Sequence, residues 1–224
     1  MAEGYVFQFS ASAYLERLSG KQAYNLDELL KLIESCPVSS IFYHTFSALR
    51  KLREVHVPYT NDFAVWISRN LHEEALSEKL GTINLAEYNT IESLKARIVE
   101  IIRDFRDQNP PAFQKKADVP FYLCDVTRIV YLTDKFAYNL KSFQEVLDSI
   151  SIDSLYYHFI ESRLYNQLHL DDISTWIEQS LGLTKLAQSI RDIDINVYTL
   201  NEIRAKIREL IDEHLNKPDT KTTV

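Results

Sequence analysis

Tyr43, His44, Asp62 and Trp66 are the residues of this chain whose types fit together chemically, and each recurs, as Tyr157, His158, Asp172 and Trp176. An imidazole oriented by a carboxylate can transfer protons or hold a ligand near neutral pH, with a neighbouring phenol and indole as walls. Asn61, just before Asp62, completes the candidate binding set. The same residues also admit a packing role. Asp62 falls where a helix N-terminus favours an acid, and Trp66 lies on an apolar stripe. A histidine among Ile41, Phe42 and Phe46 can be a core residue bonded to nearby backbone. Both readings stay open at the level of sequence.

The elements that must position these residues follow from an internal repeat. "AYNL" at 23–26 recurs at 137–140, so that Asn25 and Asn139 lie 114 positions apart (139 − 25). The same offset joins Tyr43-His44 to Tyr157-His158. "NDFAVWI" (61–67) then matches "DDISTWI" (171–177) with four fewer residues between, which places extra first-copy residues in or near "REVHVPYT". "TIESLKARIVEII" (90–102) matches "TLNEIRAKIRELI" (199–211). Self-similarity in one order implies duplication. The paired prolines Pro110 and Pro111 cannot continue a helix and mark a linker. The expected organisation is a helical repeat over 1–106, a linker over 107–118, a second helical repeat over 119–215 and a flexible tail over 216–224.

Within each copy the periodicity is helical. Asn25 can cap "LDELLKLIES" with Glu28 closing a capping box, Ser39 or Ser40 can cap the His44 helix, and Thr199 pairs with Glu202. Phe63, Trp66, Ile67 and Leu71 follow i, i+3, i+4, i+8, as do Ile173, Trp176, Ile177 and Leu181. The openings "YVFQF" and "FYLC" suit a short strand or hairpin. The expected fold class is therefore mainly α: two tandem pseudo-symmetric helical repeats packed through their apolar faces, each opening with a short strand or hairpin.

Composition narrows the function classes. The chain has 224 residues, 46% of them hydrophobic, enough to bury a sizeable core, and only 4 Gly and 6 Pro, which argues against disorder and against a turn-rich β-sandwich. A net charge of −7 repels a phosphate backbone, and the short basic runs Arg50-Lys51-Arg53 and Lys115-Lys116 read as solvated faces, so no nucleic acid partner is expected. No apolar run approaches the ~20 residues of a bilayer span and the start lacks a secretion signal, so the expectation is a cytoplasmic protein with no membrane partner. Cys36 and Cys124 fall at non-equivalent places and are expected to be reduced packing residues. Glycine-rich phosphate loops and nucleophile elbows are missing, and His56, His72, His169 and His214 show no paired spacing, so neither a cofactor nor a metal is expected.

The combination of an aromatic-rich opening, "AYNLDELL", "SIFYHT", "NDFAVWI", "LSEKLGTIN" and "TIESLKARIVEII" resembles a prokaryotic family of unknown function seen as single or tandem copies. The likeness runs from about Tyr5 to Phe105 and again from Val119 to His214. Its most specific parts are the Tyr-His pair and the Asn-Asp-Phe-Ala-x-Trp helix start. The second copy departs from it, with Ile173 in the place of Phe63 and Phe159 in that of Thr45. The resemblance implies no activity. The residues themselves admit a non-enzymatic binding or regulatory module for a protein partner or small metabolite. They also admit a small hydrolase or transferase with His44 as general base beside Asp62 and Tyr43, or a purely structural subunit. A homodimer is compatible with this many aromatics.

Overall fold

The computed structural model describes residues 5–47, 59–165, 170–195 and 197–216. The basic cluster Arg50-Lys51-Arg53, the extra residues of "REVHVPYT" before Tyr59, His56, His169 and the tail beyond Asn216 lie outside the described residues. Strand β1 (Phe7–Ala23) leads into α1 (Leu26–Ser35) and α2 (Val38–Phe42), which runs on as a π-helical turn, Tyr43–Ser47. Then come α3 (Asp62–Leu71), α4 (Glu74–Gly81) and α5 (Ile91–Gln108), with a 3-10 turn, Pro110–Gln114, at the paired prolines. Strand β2 (Phe121–Ala137) opens the second series. It continues through α6 (Leu140–Leu147), α7 (Ile152–Tyr156) with its π-helical turn Tyr157–Glu161, α8 (Ser162–Tyr165), α9 (Asp172–Leu181), α10 (Thr184–Arg191) and α11 (Leu200–Asn216).

Helix predominates, but the expected fold class needs correction. The opening segments are neither short strands nor local hairpins: each is a strand of 17 residues. The two strands pair with each other, antiparallel, in a two-stranded sheet. Two consecutive, self-contained helical repeats are therefore not what forms. The chain divides into two compact units, one of residues 1–13 and 130–224, the other of residues 14–129. β1 belongs to the first unit up to Ala13 and to the second from Tyr14 on; β2 passes over between Ile129 and Val130.

Local signals explain the helices. The Asn25 side chain accepts from the Glu28 amide and caps α1 as expected, but the Glu28 carboxylate accepts from the Tyr24 amide, one residue before the cap, so the expected box closes in only one direction. Before α11 the box is reciprocal, with Thr199 accepting from the Glu202 amide and Glu202 from the Thr199 amide. Pro37, not Ser39 or Ser40, stands at the N-cap of α2, so both serines lie inside its first turn. The helix stripes are buried as their spacing predicts at Phe63, Trp66, Ile67 and Leu71 in one unit and at Ile173, Trp176 and Ile177 in the other, where the last expected member, Leu181, is only half-buried. The long α5 and α11 bury Ile98 and Ile102, and Ile207 and Ile211.

Candidate functional site

The unit of residues 14–129 builds its site around the π-helical turn after α2. His44 sits at the second position of that turn, is 3% exposed, and packs against the rings of Phe63 and Phe121 at 5.3 and 4.7 Å. Its Nδ1 lies 2.9 Å from Asp62 Oδ2, and the Cys124 backbone N–H of β2 donates to its Nε2 at 3.0 Å. A backbone N–H can only donate, so Nε2 is the acceptor and the proton of the neutral ring must sit on Nδ1, from which it is donated to Asp62. Trp66, one turn along α3 from Asp62, donates from Nε1 to the Val119 carbonyl at 2.9 Å. Asn61 caps α3, accepting from the Ala64 amide at 2.9 Å and donating to the Leu80 carbonyl at 2.9 Å. Tyr43 stands edge-on to the imidazole and donates its hydroxyl to Glu16 at 2.9 Å.

The other unit repeats this wiring. His158, 4% exposed, has Nδ1 2.9 Å from Asp172 Oδ2 while its Nε2 accepts the Ser10 N–H of β1 at 2.7 Å. Trp176 donates to the Tyr5 carbonyl, and Tyr157 stands edge-on to His158. Asp171 takes the place of Asn61 as the cap of α9, accepting from the Ser174 amide at 2.7 Å. Burial pushes its carboxyl above the ordinary carboxylate range, against the opposing pull of Arg163 and the Ser174 bonds. Both tryptophans are buried.

Each set thus joins a helix pair to a strand. The carboxylate orients the ring, the ring fixes one strand amide, and the indole fixes one carbonyl just ahead of that strand. The chemistry left over is small. A Nε2 lone pair already accepting an amide hydrogen cannot accept a substrate proton unless the strand lets go, and the ring is sealed from water in both units. Burial raises the Tyr43 phenol far above its ordinary value, with the Glu16 hydrogen bond adding to it, so Tyr43 stays neutral.

The structure brings together every member of the expected set within its own unit: Tyr43, His44, Asp62, Asn61 and Trp66 in one, and Tyr157, His158, Asp172 and Trp176 in the other. The strand groups they hold were invisible to sequence reasoning, because a backbone N–H at Cys124 or Ser10 carries no residue type. Glu161 was also missed: wholly buried, it accepts the Ser12 hydroxyl at 2.6 Å. Among the described residues no group of three or more His, Cys, Asp or Glu could hold a metal ion. No helix among them is long and apolar enough to cross a membrane. Cys36 and Cys124 are free thiols; burial pushes that of Cys36 up.

In each unit, then, a buried His-Asp pair and a buried tryptophan fasten one long strand and the residues just ahead of it to the helices. The chain belongs to DUF5752, a family of unknown function, whose match spans residues 4–212. It is similar in structure to OrfY from Thermoproteus tenax, with a TM-score of 0.79 and 26% identity over 93% of this chain and 95% of that one. No curated protein matches the chain.

Proposed function

We propose that this protein is a non-enzymatic binding module that engages a protein partner through its β-ribbon. The reading rests on what the ribbon leaves open to solvent. In the unit of residues 1–13 and 130–224, Tyr131 is 47% and Leu132 69% exposed, and Val130 and Phe136 of the same strand and Tyr138 just beyond it are exposed too. In the unit of residues 14–129 the exposed set is Leu15, Leu18, Tyr122 and Ile129. Large apolar and aromatic side chains clustered on a strand mark an interaction surface more often than chance. Among the described residues each strand also has a hydrogen-bonded neighbour on one side only, so its other edge can accept a further strand. The histidines do not compete with this reading, since both ring nitrogens are occupied in each unit.

Photo-crosslinking residues placed at Tyr131 and Leu132, with a control at the exposed Glu209 of α11, test the proposal in cells. One dominant adduct at the ribbon positions and none at the control is expected. An adduct of twice the chain mass would identify the partner as a second copy of this chain. Equal, scattered labelling at ribbon and control positions would defeat the proposal.

A further inference from the structure

The unit of residues 14–129 carries a cleft of about 340 Å³ lined by Arg17, Leu18, Ser19 and Lys21 of β1, Pro37 and Ser40 at the start of α2, and Leu123 and Asp125 of β2. That volume falls at the small end of sites for small molecules, ~300–1,000 Å³. Neighbouring residues on a strand ordinarily point to opposite faces. Here Gly20 takes φ +77°, a conformation a side chain would strain, and residues on both sides of it reach the cleft.

The charges in and around this cleft do not balance. Asp125 accepts from Arg17 at 3.0 Å and from the Val126 amide at 2.8 Å, so its negative charge is already matched. Burial works against its ionised form, yet hydrogen bonds from Ser39, Val126 and Arg17 outweigh it and hold the carboxyl below its ordinary range. Lys21 has no ion pair among the described residues. Lys95 donates to the Cys36 carbonyl at 2.7 Å, beside Pro37 on the cleft wall. Two cations, Arg17 and Lys21, therefore line the cleft with one carboxylate, and Lys95 is bonded beside its wall. Ser40 adds an independent observation: it is wholly buried and its hydroxyl has no hydrogen-bond partner among the described residues. Buried hydroxyls are almost always bonded. At the corresponding place in the other unit, the Ser154 hydroxyl donates to the Ser10 carbonyl at 2.6 Å, and Tyr131 stands where Arg17 does. The orphan hydroxyl and the second strand cation thus occur together, in one unit.

We propose that this cleft binds a small molecule through an oxyanion, a phosphate or a carboxylate, held by the Lys21 ammonium and the guanidinium donors of Arg17 that Asp125 leaves unused, with the Ser40 hydroxyl as a further donor. Arginine offers five N–H donors in a planar fork, and one bond to Asp125 leaves enough for a second oxyanion. Nothing in the proposal depends on the exposed apolar ribbon.

The test uses the full chain and two probes, inorganic phosphate and acetate, each titrated against chloride at matched ionic strength while backbone amide NMR signals are followed. Saturable shifts confined to the amides around Ser19, Lys21, Ser40 and Leu123 are expected for at least one probe. Phosphate alone, acetate alone or both would tell which oxyanion the cleft prefers. Lys21→Gln and Arg17→Gln, both at exposed positions and each checked for an intact fold by circular dichroism, should each weaken that binding about tenfold, or about 1.4 kcal/mol. Lys79→Gln, on α4, should leave it unchanged. Ser40→Ala should weaken it several-fold without loss of folding. Shifts that never saturate with either probe, or that persist at equal affinity in Lys21→Gln and Arg17→Gln, would overturn the proposal.

Discussion

Replacing His158 by leucine removes the acceptor of the Ser10 N–H while keeping an apolar side chain between Phe7 and Phe9, whose rings lie 4.8 and 5.8 Å from the imidazole. Ser10 is buried, so water cannot take over that amide, and a buried donor left unpaired costs about 1–3 kcal/mol. The other bond lost, to Asp172, matters less. That carboxylate is one-third exposed and can be hydrated, which limits its share to about 0–1 kcal/mol. A destabilisation of about 2 kcal/mol is expected. His158→Gln separates the two terms, because its carbonyl oxygen can reach the place of Nε2 and accept the same N–H; it should recover about 1 kcal/mol. The matching His44→Leu should cost less than His158→Leu, since Cys124, whose amide it would orphan, is only half-buried. Urea unfolding followed by tryptophan fluorescence reads these differences. With a slope of about 2 kcal/mol per molar, the His158→Leu midpoint falls by about 1 M. Equal losses in the leucine and glutamine variants, or a leucine loss below about 0.5 kcal/mol, would show that the imidazole does not hold the strand.

Two further expectations are independent of that one. His72 ends α3 at φ +56°, where Gly182 ends α9 at φ +70°; His72→Gly should relieve left-handed strain of about 1–2 kcal/mol, offset in part by the freer unfolded chain, and raise the thermal midpoint. Asp125 has a lowered pKa, so the folded chain keeps it ionised where the unfolded chain, at about 3.9, begins to protonate. Its contribution to stability is therefore present above about pH 4 and lost as pH falls through the folded value. The urea midpoints of wild type and Asp125→Asn should differ at pH 7 and converge in acid, and a difference that does not vary with pH would contradict the assignment.

The amino-acid sequence by itself determined what local chemistry can write. Asn25 names the start of α1 and Thr199 with Glu202 that of α11, because a side-chain cap or a capping box is closed within four residues. The stripe Phe63, Trp66, Ile67 specifies which face of α3 is buried, because a 3.6-residue period needs no partner to be seen. The candidate set was legible as types that recur, and His44 does meet Asp62 as His158 meets Asp172. Only the tertiary structure decided what those pairs are for. The length of β1 was hidden because burial ends near Ser12, and the exposed stretch to Gln22 has no apolar face that period 2 could detect. Its partner β2 begins about a hundred residues later, and pairing over that distance leaves no local trace in either strand. The imidazole's second nitrogen is satisfied by a backbone amide of the strand, a group that every residue but proline carries. Residue types could thus propose a histidine with a carboxylate, and only the arrival of the strand made it a fastening with both nitrogens in use.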